Sequence, residues 1–291
     1  MEPIPTPTPP QRLAPVTERS ALAQFLRARR SLVQPADVGL PAGGRRRVAG
    51  LRREEVAILA NISTDYYLRL EQGREEHPSD QVLTALSRAL KLDDDAVAYM
   101  RNLTRHRSVA AVEPLRDLHP GLQGLIDGWP LTAAHVVDPG INTVVANNLA
   151  AALSPYFGVG FNTMRELFGD PAARNFYRNW KPLTEWAVSL IRVLYGQRPD
   201  PALIGLVDDL IEQSPRFRQL WERHDVRYEP AGVMLVNHPR VGKLTLNYQQ
   251  MILPATGHVL VSYWAEPRSE SEDGMRRLSL GVGQPGIMRP G

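Results

Sequence analysis

Through the first third of the chain, apolar residues recur at three- and four-residue spacing in short bursts, each closed by a turn signal. Glu18–Arg30 places Leu22, Phe25, Leu26 and Arg29 on one face of an amphipathic helix. Pro35, Gly39, Pro41, Gly43 and Gly44 then break the pattern, so residues 31–50 read as a loop. The period resumes at Leu51, with Leu51, Val56, Leu59 and Ala60 inward and Asn61 as a left-handed turn residue. Ser63 is placed to cap a second helix that Gly73 ends. Beyond Pro78, Ser79 or Asp80 caps Gln81–Lys91, which carries Val82, Leu83, Leu86 and Leu90 on one face. Asp93, Asp94 and Asp95 open a fifth helix running to about Arg107. Acids at a helix start complement its dipole, which explains them without a metal.

After a polar junction near Ser108–Arg116 the period changes. Ala133–Val137 and Ile141–Ala146 flank Asp138-Pro139-Gly140, a strand–turn–strand pattern. Helices are expected at Asn147–Leu153, Asn162–Phe168, Pro171–Trp180, Leu183–Tyr195, Pro201–Ser214 and Pro215–His224. Strands return at Gly232–Asn237, Lys243–Met251 and His258–Ala265, separated by good turn sequences. The pattern therefore predicts two domains: an all-α bundle, then an α+β domain with an antiparallel sheet and helices inserted after its second strand. The expected division is a proline-rich disordered arm at 1–17, the helical domain at 18–108, the α+β domain at 109–267 and a polar tail at 268–291.

Composition narrows the class. The chain has 291 residues, ordinary hydrophobic content at 43% and no cysteine, which removes disulfides, zinc fingers and thiol catalysis. No apolar run approaches the roughly 18 to 20 residues that span a bilayer, and the N-terminus lacks the pattern of a secretory signal, so a cytoplasmic location away from membranes is expected. The net charge of +3 is unevenly spread. Residues 20–108 hold 15 Lys+Arg against 11 Asp+Glu, whereas 109–291 hold 17 against 18. A basic excess made almost wholly of arginine and confined to the helical part suits a polyanion.

Val56 to Leu70 has the features of a helix-turn-helix. Ala57 is the small residue at the helix crossing, Asn61 the turn, and Val56, Ala60, Ile62, Tyr67 and Leu70 the apolar lock. Asparagine stands where glycine is more usual but tolerates the same backbone. The second helix then presents Ser63, Thr64, Asp65, Tyr66 and Arg69 on its outer N-terminal face, the surface that enters a major groove of double-stranded DNA. Arg45, Arg46, Arg47, Arg52 and Arg53 flank the preceding helix, where phosphate contacts fall. Glu54, Glu55 and Glu71 are available to pair with some of them. Residues 22–92, with Ala-Asn-Ile-Ser at 60–63 and Tyr-Leu-Arg-Leu-Glu-Gln-Gly at 67–73, resemble an Xre/Cro helix-turn-helix domain. More narrowly, VGLPAGGRRRVAGLRREEVA, DYYLRLEQGRE, SPRFRQLWERHDV, NHPRVGKLTLNYQQM and LVSYWAEP together resemble the MmyB-like regulators. The resemblance implies a PAS-like C-terminal fold and a fatty-acid-like ligand.

In the second domain no phosphate loop, HExxH or GxSxG is present, and His224, His238 and His258 are not at metal-ligand spacing, so no enzyme and no cofactor are expected. His238 reads as a turn residue and His224 as a structural hydrogen-bonder. Leu244, Leu246 and Tyr248 share a strand face, Val259, Val261 and Tyr263 another run, and Trp180, Trp186 and Trp221 lie on the inserted helices. A sheet covered by aromatic helices makes either a plain core or an apolar pocket, with Trp180, Trp221 and Tyr248 as candidate ligand contacts. Asn147 and Asn148 follow the second strand, where they either cap the next helix or orient a ligand. Three functions fit: a ligand-responsive regulator, expected as a homodimer; a regulator whose second domain only dimerises or contacts a protein; and an enzyme tethered to a DNA-binding head. The last needs a titratable cluster that the sequence does not supply.

Overall fold

The computed structural model describes residues 21–41, 48, 50–104, 118–197, 200–254 and 256–281. It divides into two compact units, Met1–Arg105 and His106–Gly291. The first contains α1 (Ala21–Leu32), a 3-10 turn at Pro35–Val38, α2 (Arg53–Leu59), α3 (Thr64–Glu71), α4 (Asp80–Ala89) and α5 (Asp94–Thr104). Its core is the expected apolar face of each helix, with Leu22, Phe25, Leu26, Leu51, Val56, Tyr67, Leu70, Leu86, Leu90 and Met100 fully buried. Caps set the boundaries. Ser63 Oγ accepts from the Tyr66 amide, Ser79 Oγ from Val82, and Asp93 Oδ1 from Ala96. Asn61 has φ 51° between α2 and α3, and Gly73 has φ 70° after α3.

On α1 the structure buries Arg30, where the spacing points to Arg29. The reason is Glu71, at the C-terminal end of α3, whose side chain is wholly buried. Arg30 Nε donates to its Oε1 at 2.5 Å and Arg53 Nε to its Oε2 at 2.6 Å. Arg30 also donates to the carbonyl of Leu51 at 2.8 Å, and Arg27 to that of Glu71 at 2.8 Å. One carboxylate thus joins α1, α2 and α3. Burial opposes its ionisation, but the hydrogen bonds and charges of Arg30 and Arg53 outweigh that and hold its pKa below the ordinary value. The backbone arriving at α2 runs so close to the end of α1 that a Cβ on Gly50 would lie 2.3 Å from the Arg30 carbonyl oxygen. Only glycine fits there.

The second unit comprises α6 (Leu122–Asp127), β1 (Ala133–Val137), β2 (Thr143–Ala146), α7 (Asn148–Leu153), a 3-10 turn at Pro155–Phe157, α8 (Thr163–Gly169), α9 (Ala173–Phe176), α10 (Trp180–Gln197), α11 (Pro201–Gln213), α12 (Pro215–Glu222), β3 (Ala231–His238), β4 (Gly242–Ile252), β5 (Val259–Trp264) and α13 (Glu270–Gly281). The strands form one antiparallel sheet in the order β2-β1-β5-β4-β3, with the helical insertion after the second strand, the α+β layout the pattern predicts. Tyr248 pairs with Tyr263 across β4 and β5, so the two apolar runs read from the sequence belong to one inner face. Helices cover that face. On the other face Ala134, Val136 and Leu260 pack with Ile126 of α6, a helix too short for its period to be legible.

Two segments differ from expectation. Residues 171–180 are not one helix, because α9 ends at Phe176 and Tyr177 turns to an extended backbone. There it bridges Val236, and the Arg178 amide donates to the Leu235 carbonyl at 2.9 Å. Pairing with the edge strand outcompetes the local helical preference. Nor is the segment from 268 onward merely a polar tail. Glu270–Gly281 is a helix whose Met275 and Leu278, one turn apart, are buried against the sheet. Gly274 permits the approach, since a Cβ there would sit 2.5 Å from Leu244 Cδ2.

Removing the Glu71 carboxylate leaves Arg30 charged and uncompensated in the core. Glu71→Ala is therefore expected to destabilise the first unit by about 3 to 5 kcal/mol, read as lost amide protection in α1 and α3 of the full chain during hydrogen exchange. Acid should act in the same direction. The folded-state pKa is depressed, so this contribution is complete above the reference carboxyl value of 4.5 and is lost as pH falls through the folded value. Unchanged protection in the variant would remove Glu71 from this role.

Candidate functional site

The outer face of α3 is built by its cap and its period. Ser63, Thr64, Asp65 and Arg69 are exposed and Tyr66 is half-buried, while Tyr67 and Leu70 point into the core. The Ser63 hydroxyl is engaged by the Tyr66 amide at 3.1 Å, so its lone pairs serve the cap first. The Arg69 guanidinium lies 5.6 Å from the centre of the Tyr66 ring and 3.8 Å from Asp65, one turn back. Burial, then the charge of Glu75, raises the Tyr66 pKa, so the phenol is a neutral hydrogen-bonding group. An exposed ion pair such as Asp65–Arg69 holds its partners weakly, so Arg69 is available to a base edge at little cost.

The arginines split into three groups. Arg52 is exposed at the start of α2, where its amide donates to Glu55 Oε2 at 2.7 Å and its side chain faces solvent. Arg53, expected beside it as a phosphate contact, has its Nε committed to Glu71. That pairing takes precedence because Glu71 has no water to fall back on. Arg45, Arg46 and Arg47 lie outside the described residues.

In the second unit a cavity of about 100 Å³ opens between the inner face of the sheet and the inserted helices. From the sheet come His135 and Val137 of β1, Gln250 and Ile252 of β4, and Val259, Val261 and Tyr263 of β5; from the helices, Met164 and Leu167 of α8 and Leu183, Trp186, Leu190 and Leu194 of α10. Phe157, Tyr177 and Tyr228 complete most of the wall. Alternation along β1 sends Ala133, His135 and Val137 to one side, which places an imidazole in a mostly apolar surface.

The five residues named from the sequence as ligand contacts lie elsewhere. Asn147 is the cap of α7 and is fully used. Its Oδ1 accepts from Ala134 and Ala150, and its Nδ2 donates to the carbonyls of Ile126 and Thr132. Asn148 is exposed on the first turn of α7. Trp180 donates Nε1 to the Leu167 carbonyl, with the Arg174 guanidinium 4.8 Å from the ring. Trp221 stacks on Phe217 and under Arg192. Tyr248 packs edge-on to Trp186, 5.5 Å between centres, and is not among the residues that line the cavity. Trp186 is the tryptophan that reaches the cavity. His135, Phe157 and Tyr177 were not legible as cavity residues. The one available signal was a lone polar residue at the centre of the apolar strand 133–137.

His238 and His224 have structural partners. His238 ends β3, buried, where its Nε2 donates to the Ala152 carbonyl at 3.0 Å and its Nδ1 accepts from the Arg240 amide. His224 accepts from Arg192 through Nδ1 at 3.0 Å, with φ 53° after α12. Among the described residues, no helix is long and apolar enough to cross a membrane.

A helix-turn-helix unit joined to a helix-covered sheet with a cavity beneath the helices defines a DNA-binding transcription regulator with a ligand-binding domain. Comparison with known families agrees: residues 21–100 match a helix-turn-helix domain, and residues 118–278 match the MmyB-like transcription regulator ligand binding domain. The chain belongs to the MmyB-like transcription regulators. Comparison with curated proteins gives no match.

Arg69→Ala is expected to weaken binding to the specific operator by about 1 to 3 kcal/mol and to relax preference at one base pair. Footprinting and titration of the variant check both. An unchanged footprint at unchanged affinity would take Arg69 off the base edges.

Proposed function

We propose that this protein is a cytoplasmic, homodimeric regulator whose operator affinity responds to a small apolar, acyl-chain ligand held in the cavity of its second unit. The observation that carries this reading is the cavity itself. Its wall is almost entirely aliphatic and aromatic, and it lies within the domain whose family is defined by ligand binding. The strand order β2-β1-β5-β4-β3, with the helices inserted after β2, is consistent with a PAS-like fold. A volume of about 100 Å³ is about two-thirds of the roughly 150 Å³ of an apolar cavity that accepts benzene. It takes a short run of methylenes, and a longer chain continues past Ile252, Gln250 and Val259, the more exposed part of the lining.

The dimer reading rests on two considerations. One small helix-turn-helix unit buries limited DNA surface, so specificity comes from paired half-sites about one helical turn apart. The outer face of β3 and β4 also leaves Val233 and Met251 exposed, unlike the half of the sheet beneath α6. A ligand shifts operator affinity only by binding unequally to dimer geometries that do and do not match that spacing. A tenfold shift needs about 1.4 kcal/mol of such difference.

Two measurements test this. Mass spectrometry of an organic extract of the purified full chain is expected to yield an apolar ligand. Adding that ligand should change the affinity of the full chain for a pseudo-palindromic operator and leave the weaker binding of residues 18–108 unaltered. Equal affinity and equal response from both would sink the sensor reading. Replacing Arg45, Arg46 and Arg47 together should weaken binding to all DNA alike and lower the salt slope by up to about three, at roughly 0.9 per phosphate contact. Altered sequence preference at an unchanged slope would remove those residues from the backbone.

A further inference from the structure

One residue in the wall of the cavity carries a buried polar atom that has no hydrogen-bond partner among the described residues. His135 is 2% exposed at the centre of β1, with Phe157 and Tyr263 packed at 4.7 and 5.9 Å between ring centres. Its Nδ1 faces the Thr143 hydroxyl of β2 at 3.3 Å. Its Nε2 is buried and, among the described residues, has no hydrogen-bond partner. His238, also buried, uses both of its ring nitrogens. An unmet buried nitrogen costs about 1 to 3 kcal/mol, and this one belongs to a residue that lines the cavity.

We infer that the ligand carries an uncharged oxygen function, a hydroxyl or carbonyl, that hydrogen-bonds to Nε2 of His135. The inference rests on the cavity being the ligand site and specifies what that site selects. Thr143 makes His135 adaptable. When its hydroxyl donates to Nδ1, Nε2 carries the proton and donates to a carbonyl; when it accepts from Nδ1, Nε2 accepts from a hydroxyl. A carboxylate head seated at His135 is disfavoured because, among the described residues, no lysine or arginine lines the cavity, so its charge there would be buried unpaired. Nor does His135 readily supply that charge, since burial pushes its pKa down to about 3.

The test is calorimetric titration of the full chain with octane, 1-octanol, 2-octanone and octanoate, the last at alkaline pH. Octanol and octanone are expected to bind about tenfold more tightly than octane, and octanoate more weakly than either. In His135→Phe the octane affinity should persist while the preference for octanol and octanone disappears. In His135→Gln, whose amide supplies a hydrogen-bonding group in place of the imidazole, most of that preference should return. Equal affinity of the wild type for octane and octanol, tightest binding of octanoate, or a preference that survives His135→Phe would overturn the inference and leave the cavity reading standing. If His135→Phe does not fold, the wild-type series decides. Failure of all four probes, octane included, would overturn the cavity reading itself.

Discussion

A polar group taken out of water must find a partner inside the protein, and both units are organised around how that demand is met. In the first unit the group is the Glu71 carboxylate. Two arginines from different helices satisfy it, and because they come from α1 and α2, satisfying it fixes where α3 sits. The outward face of α3 therefore inherits its orientation from a charge on the opposite, inward side. The ion pair acts here less as net stabilisation than as specification, since mispacked arrangements would strand a carboxylate or a guanidinium.

In the second unit the same demand is met almost everywhere along the cavity's borders. Asn147 spends both amide atoms on four backbone groups, joining α7, β1 and the segment leading from α6. Arg192 is held between the Trp221 ring and carbonyl and His224. These bonds frame a mostly apolar space, and His135, in its wall, carries a buried nitrogen that has no hydrogen-bond partner among the described residues. A mostly apolar wall with few hydrogen-bonding groups suits a ligand held by its apolar part and selected by its polar one.

The helical unit was legible in the sequence because its signals are local. Caps, the Asn61 turn and the three-to-four spacing of Val56, Ala60, Tyr67 and Leu70 act within one or two turns of chain, so residue order alone places them. The exposed face of α3 follows from the same period. The commitment of Arg53 to Glu71 does not, because the two are 18 positions apart and meet only when α2 packs on α3.

In the second unit the sequence by itself determined the strands, most of the inserted helices and the α+β class, through alternation and turn residues. Only the tertiary structure decided which aromatic residues face the cavity. Trp180, Trp221 and Tyr248 have the same composition and helical or strand setting as Trp186 and Tyr263, and they differ only in which neighbour covers them. The helix at 270–281 and the break at Tyr177 were decided in the same way, by partners more than 20 residues distant, Leu244 and Val236. Periodicity tells a residue which side of its own element it occupies, whereas a cavity is defined by what the opposing elements fail to fill.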